Sequence, residues 1–202
     1  MKHLRFYFDI VSPYAYLAFE RLPCVLEGLS YEVSYQAVER AGLPGYRGDD
    51  SSSAIEMQQA REMANRYGLE LSLPAPYPFS PVALLCLALA SAREGYTPSR
   101  YVCKSVLHHV WRGGGDVYNA QRSQALNRAL KLDRDAAGHD ALQTLRVATA
   151  DAAARGVFNV PTGEVDGQLF WGLDCPEGLA AYMRGDAEST ERSPPEMDGR
   201  RG

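Results

Sequence analysis

The stretch Phe8-Asp9-Ile10-Val11-Ser12-Pro13-Tyr14-Ala15-Tyr16-Leu17 decides how this chain is read. Leu4 to Asp9 is rich in aromatics, the composition of a buried strand, and it breaks at Ser12-Pro13. Proline has a fixed φ and no N–H to waste, so Pro13 suits the first position of a helix, and Ser12 supplies the hydroxyl that caps it. From Tyr14 to Leu29, apolar residues recur at Tyr14, Leu17, Ala18, Leu22, Val25, Leu26 and Leu29, which is one helical face, with Gly28 marking its end. Tyr31, Val33 and Tyr35 then alternate with Glu32, Ser34 and Gln36 up to Ala37, the pattern of a half-buried strand. Strand, helix and strand in this order predict a parallel crossover unit.

Further along, Ala41 to Ser53 is crowded with glycine, proline, aspartate and serine and reads as a long loop. Long loops in compact domains are often functional. Helical spacing predicts helices over about Ala54 to Tyr67, Pro81 to Glu94, Ser99 to Arg112, Ala120 to Leu130 and His139 to Arg155. Strand character returns at Glu164 to Trp171, where Asp166-Gly167 is a two-residue hairpin signal. Asp174-Cys175-Pro176-Glu177 opens a last helix to Met183, with an acid at the cap, a proline in the first turn and a glutamate three positions on. The organisation expected is therefore a first α/β part over 1–40, an all-helical insertion over 41–138, and a second α/β part over 139–184. Gly185 to Gly202 is polar, bears prolines and lacks periodicity, and is expected to be a disordered tail.

A chain of 202 residues with 46% hydrophobic content can bury a sizeable core, which excludes disorder of the whole. The net charge of −4, with scattered lysines and arginines, gives no basic footprint, so nucleic acid is not the expected partner. The longest apolar run, Pro81 to Ala92, falls short of the roughly 20 residues a membrane-spanning helix needs. Met1 to Asp9 lacks the apolar core of a signal peptide, and the protein is read as cytoplasmic. The four cysteines, Cys24, Cys86, Cys103 and Cys175, form no C-x-x-C and share no metal-ligand spacing with the four histidines; most of them read as reduced packing residues.

Ser12 is the residue with the most chemistry in it. A hydroxyl at a helix N-terminus sits among unpaired N–H groups at the positive end of the helix dipole, an arrangement suited to an anion such as a thiolate. Taken alone, Ser-Pro before a helix is more often an ordinary cap. Two further segments change that weighing: Gly156-Val157-Phe158-Asn159-Val160-Pro161-Thr162 and Phe170-Trp171-Gly172-Leu173-Asp174. With Phe8 to Leu17 they resemble, in order and spacing, the 2-hydroxychromene-2-carboxylate isomerases and kappa-class glutathione transferases, whose corresponding stretches read S-P-Y, G-V-F-G-V-P-T and F-W-G-x-D. The first segment is also similar to the C-P-Y-C region of bacterial disulfide oxidoreductases. Here Ser12 and Ala15 stand where the two cysteines would be, which rules out thiol–disulfide exchange at this site.

The resemblance covers about Leu4 to Met183 and implies an α/β thioredoxin-like fold with a large helical insertion. It implies glutathione as the cofactor, with its thiolate at Ser12, its backbone paired with an edge at Val160-Pro161, a cis peptide between those two, and its ammonium at Asp174. Glutathione is peptide-like, so strand-type pairing beside a proline is chemically apt. Tyr14 and Trp111 are the candidates for the wall of the substrate pocket. The family lysine that fixes a glutathione carboxylate has its place at Ser52, and Arg47 is the candidate substitute from the same loop. The usual arginine after Asp174 is Cys175. The expected substrate is an aromatic carboxylate, and the expected assembly a homodimer. A kappa-type transferase and a non-catalytic thioredoxin-like binding module remain as alternatives.

Overall fold

The computed structural model describes residues 1–46, 48, 51–93, 95–130, 132 and 135–186. Its elements are β1 (Lys2–Phe8), α1 (Pro13–Val25), β2 (Tyr31–Ala37), α2 (Ser51–Tyr67), α3 (Val82–Ala90), α4 (Arg100–Trp111), α5 (Ala120–Ala129), α6 (His139–Ala154), β3 (Thr162–Val165), β4 (Gln168–Trp171) and α7 (Cys175–Arg184). One sheet has the order β2-β1-β3-β4. β1 lies parallel to β2, with Phe6 opposite Tyr35, and antiparallel to β3, with Phe6 opposite Gly163. The two ends of the chain thus share one sheet, and the fold is the α/β thioredoxin-like one with helices inserted between its halves.

Alternation along β1 sorts the two faces. Leu4, Phe6 and Phe8 are fully buried on one side, where the rings of Phe6 and Phe8 lie 6.4 and 6.5 Å from that of Phe19 on α1. Tyr7, on the other side, joins Val38, Leu43, Ala152, Val157 and Val160 in a second cluster. Its hydroxyl donates to Glu164 Oε2 at 2.6 Å, while Arg5 and Arg155 lie 3.0 and 3.5 Å from Glu164 Oε1. The β3–β4 turn is the expected hairpin: Asp166 and Gly167 both take positive φ, 51° and 79°, as such a turn demands.

α1 ends at Val25, four residues before the expected Leu29. Pro23 sits inside its last turns and has no N–H to give to the carbonyl of Phe19. Arg100, from the start of α4, supplies the missing donor at 3.2 Å, stacks on the Phe19 ring at 4.2 Å and also donates to Tyr35 Oη at 3.1 Å. A proline that weakens one helix therefore opens a docking point for another.

The inserted helices are not a layer apart. α3 reads Val-Ala-Leu-Leu-Cys-Leu-Ala-Leu-Ala, with Leu84 to Ala90 all buried, and α4 buries Val102, Cys103, Val106, Leu107, Val110 and Trp111; both belong to the same apolar core as β1 and α1. α2 starts at Ser51, three residues earlier than its periodicity predicts, and buries Met57, Ala60 and Ala64. A short 3₁₀ turn, Arg40–Gly42, precedes it where only loop was expected. Among the described residues no helix is long and apolar enough to cross a membrane. Apart from Gly185 and Asp186, the expected tail lies outside the described residues.

Candidate active site at the start of the first helix

Ser12 caps α1 as its sequence predicts: its backbone is extended (φ −86°, ψ 116°), and Oγ accepts from Ala15 N at 3.2 Å. The residue is fully buried. Oγ accepts with one lone pair and still carries a hydrogen to donate. Pro13 has no N–H, Tyr16 N already bonds the Ser12 carbonyl, and Tyr14 N belongs to the first turn, whose amides a helix leaves without internal partners.

The turn between β1 and α1 is held from two directions. Asp9 is fully buried; Oδ1 accepts from Val11 N at 3.1 Å and Oδ2 from Arg40 N at 2.6 Å, so one carboxylate ties this turn to the 3₁₀ turn that precedes α2. Burial pushes its carboxyl up to about 6, against the opposing pull of those amides and of the Arg40 charge. Trp111 Nε1 donates to the Ile10 carbonyl at 2.9 Å, and its ring packs 6.3 Å from Tyr16 and 6.0 Å from Tyr77. Trp111 is fully buried and is absent from the cleft wall. The expectation that it lines the substrate pocket is therefore corrected. Val106, Leu107, Val110 and Trp111 form one apolar stripe on α4, and burial claims the whole stripe.

A cleft of about 450 Å³ opens beside α1, lined by Tyr14, Arg40, Glu56, Val160, Pro161 and Trp171 among others. Tyr14 Oη donates to Gln59 Oε1 at 2.7 Å. Burial, and secondarily Glu56, raises the Tyr14 phenol above its ordinary value, so Tyr14 stays a neutral donor. Arg40 Nη1 pairs with Glu56 Oε1 at 3.0 Å, and Tyr77 Oη donates to Glu56 Oε2 at 3.2 Å. Arg40 Nε is buried with no hydrogen-bond partner. A larger cavity, about 640 Å³, lies against the Tyr7 face of the sheet and α6 and contains none of the expected site residues.

The opposite wall is a stiffly held loop. Gly45 N donates to the Phe158 carbonyl at 2.7 Å, Thr162 Oγ1 to the Asn159 carbonyl at 2.6 Å, and Gly172 N to the Pro161 carbonyl at 2.9 Å. Phe158 and Trp171 meet edge to face at 4.9 Å. The Val160–Pro161 peptide is cis, as the resemblance implies. Val160 N donates to the side chain of its own neighbour, Asn159 Oδ1, at 2.9 Å.

At the head of α7 the structure departs from the capping pattern. Asp174 occupies the cap position with ψ 5° and makes no side-chain cap bond; it is exposed. Glu177 pairs with Arg21 on α1. Cys175 is buried against Gly163 and Leu179, and burial pushes its thiol up, so it is a packing residue. Among the described residues no group of three or more His, Cys, Asp or Glu side chains is placed to hold a metal ion.

Of the residues expected from sequence, Tyr14, Val160 and Pro161 line one cleft; Ser12 is buried at the head of the helix that carries Tyr14, and Asp174 follows the cleft-lining Leu173. Arg47 lies outside the described residues. Sequence reasoning missed Asp9, Arg40 and Asn159. The first had a signal, an acid closing a strand where a buried residue was due, and the third had another, an asparagine where the resembled stretch carries glycine.

The model of the DsbA-like thioredoxin domain matches residues 3–184. A 2-hydroxychromene-2-carboxylate isomerase of Sphingobium xenophagum is 28% identical over 198 residues, covering 90% of this chain and 98% of that one. A solved 2-hydroxychromene-2-carboxylate isomerase superposes with a TM-score of 0.76 at 22% identity, over 91% of this chain and 95% of that one. The cytosolic disulfide reductase DsbM of Pseudomonas aeruginosa, solved with glutathione, does so at 0.58 and 17% identity, over 91% and 98%. The solved relatives share this fold, and the chain belongs to the DsbA-like thioredoxin domain family.

Proposed function

We propose that this protein is a glutathione-dependent isomerase acting on a 2-hydroxychromene-2-carboxylate-like aromatic carboxylate. The observation that carries the reading is the cleft itself: it brings Tyr14, from the first turn of α1, and Val160-Pro161 to one space, with Leu173, the residue before the exposed Asp174, on its wall. The curated relatives' name gives the reaction class.

The donor set fits glutathione. Asp174, exposed and free of capping duty, is available to an ammonium group, and Val160, whose N–H is held by Asn159 Oδ1 in the free protein, borders the cleft where a peptide would lie. When bound, glutathione supplies a nucleophilic thiolate that adds to an unsaturated substrate and later leaves unchanged, permitting rotation in between. The N-terminus of α1, which carries the fully buried Ser12 and the cleft-lining Tyr14, favours negative charge, and the Ser12 hydroxyl keeps one hydrogen to donate. Tyr14 is a neutral hydroxyl within the cleft, its hydrogen held by Gln59 Oε1 in the free protein. Arg40 also lines it, but Glu56 already neutralises much of its charge. The proposed assembly is a homodimer in the cytoplasm.

The test is direct. Calorimetry with glutathione, followed by ultraviolet monitoring of a chromene carboxylate with glutathione in catalytic amount, should show binding and interconversion with no loss of free thiol. Stoichiometric consumption of glutathione would assign the site to a transferase, and absence of binding would leave a non-catalytic module.

A further inference from the structure

We propose that Asn159 is an internal occupant of the peptide-binding edge: its side-chain carbonyl holds the Val160 N–H in the free protein and must swing away before a ligand's backbone carbonyl can take that amide. The proposal rests on the glutathione reading above and adds a built-in competitor to it.

Asn159 and Val160 both line the cleft, and Val160 N donates to Asn159 Oδ1 at 2.9 Å, the length of an ordinary amide hydrogen bond. The contact is made by an amide carbonyl oxygen, the same kind of acceptor a ligand's peptide carbonyl would present. The backbone around it is fixed on both sides, by Gly45 N on the Phe158 carbonyl and Thr162 Oγ1 on the Asn159 carbonyl. What is left to move is the Asn159 side chain. Its rotation frees the amide without disturbing the loop. The resembled G-V-F-G-V-P-T stretch carries glycine at this position, which has no side chain to offer; here the asparagine keeps a half-buried donor satisfied when no ligand is present.

Ligand binding is then an exchange of one hydrogen bond for another, and affinity is lowered by the net worth of the contact displaced. Asn159→Ala and Asn159→Gly should both bind reduced glutathione more tightly than the wild type, by roughly three- to tenfold. The alanine variant guards against any loosening of the loop by glycine. Independently of any ligand, amide hydrogen exchange at Val160 in the free protein should be faster in both variants than in the wild type. Saturating the wild type with glutathione should shift the Asn159 side-chain amide resonances as the group leaves its place.

Unaltered Val160 exchange in both variants would mean the contact is not held in solution and would overturn the proposal. Faster exchange with equal or weaker glutathione binding would also overturn it, by making Asn159 a helper of the ligand, while leaving the glutathione reading intact. Failure of every variant to bind glutathione, with the Val160 amide freed, would overturn the proposal and that reading together.

Discussion

At the start of α1, Ser12 stands before Pro13; at the start of α7, Asp174 stands before Cys175-Pro176. Both patterns read as capped helices with an early proline, yet only the first is capped. Ser12 has an extended ψ of 116°, which turns Oγ toward the Ala15 amide, whereas Asp174 has ψ 5° and leaves its carboxylate in solvent. The first terminus is also clamped from behind by Asp9 and by Trp111, and is fully buried at Ser12. The difference is one of access: the first terminus is held in place and closed off from solvent at Ser12, whereas the second leaves an open carboxylate suited to meeting an incoming ammonium.

The largest effect that sharpens the contrast concerns the clamp. Trp111→Ala removes a fully buried indole and should cost about 3 to 5 kcal/mol of stability in urea unfolding. Trp111→Phe keeps a ring but leaves the Ile10 carbonyl without its donor, and should cost about 1 to 3 kcal/mol. A pocket-wall tryptophan would instead lose activity with stability little changed.

Asp9 should show its burial in a pH series. Its folded value of about 6 lies above the ordinary 3.8, so the folded state binds the proton more tightly than the unfolded chain. The stability contributed by the neutral form is complete below pH 3.8 and is lost as pH rises through 6, by on the order of 3 kcal/mol. Asp9→Asn should remove that slope. It should also carry a pH-independent cost, because an NH₂ group then faces Val11 N or Arg40 N. Parallel stability curves for wild type and variant between pH 4 and 7 would contradict the assignment.

Asp174→Ala should do the reverse of the clamp variants: stability within about 0.5 kcal/mol of wild type, since no cap bond is lost. Glutathione affinity should fall roughly tenfold or more, as for a lost charged hydrogen bond. A clear loss of helix stability with unchanged affinity would restore Asp174 to the role of a cap.

Much of the fold was legible because its signals are local. The alternation of β2, the Ser12-Pro13 start and the Asp166-Gly167 turn are each set by a few residues, and the structure places all three as expected. What was illegible depends on partners distant in sequence. The Trp111 spacing is the same whether the ring faces a cleft or the underside of β1–α1, and only the fold puts the Ile10 carbonyl, 101 residues away, within its reach. The early end of α1 follows from Pro23, which was visible, but the donation from Arg100 to Phe19's freed carbonyl was not. In the site, Tyr14, Val160 and Pro161 were found by motif, whereas Asp9 and Arg40 gain meaning from the 2.6 Å bond that joins two turns 31 residues apart.

The central claim, that the α1 terminus and its serine stabilise a thiolate, is tested most directly by the thiol pKa of bound glutathione, read from thiolate absorbance across pH in wild type and Ser12→Ala. The account predicts a pKa below the usual thiol range in the wild type. In the variant that value should rise, with an isomerisation rate lower by roughly ten- to a hundredfold and a cap loss of about 1 kcal/mol that leaves the protein folded. An unchanged thiol pKa and an unchanged rate in Ser12→Ala would contradict it and reduce Ser12 to a helix cap.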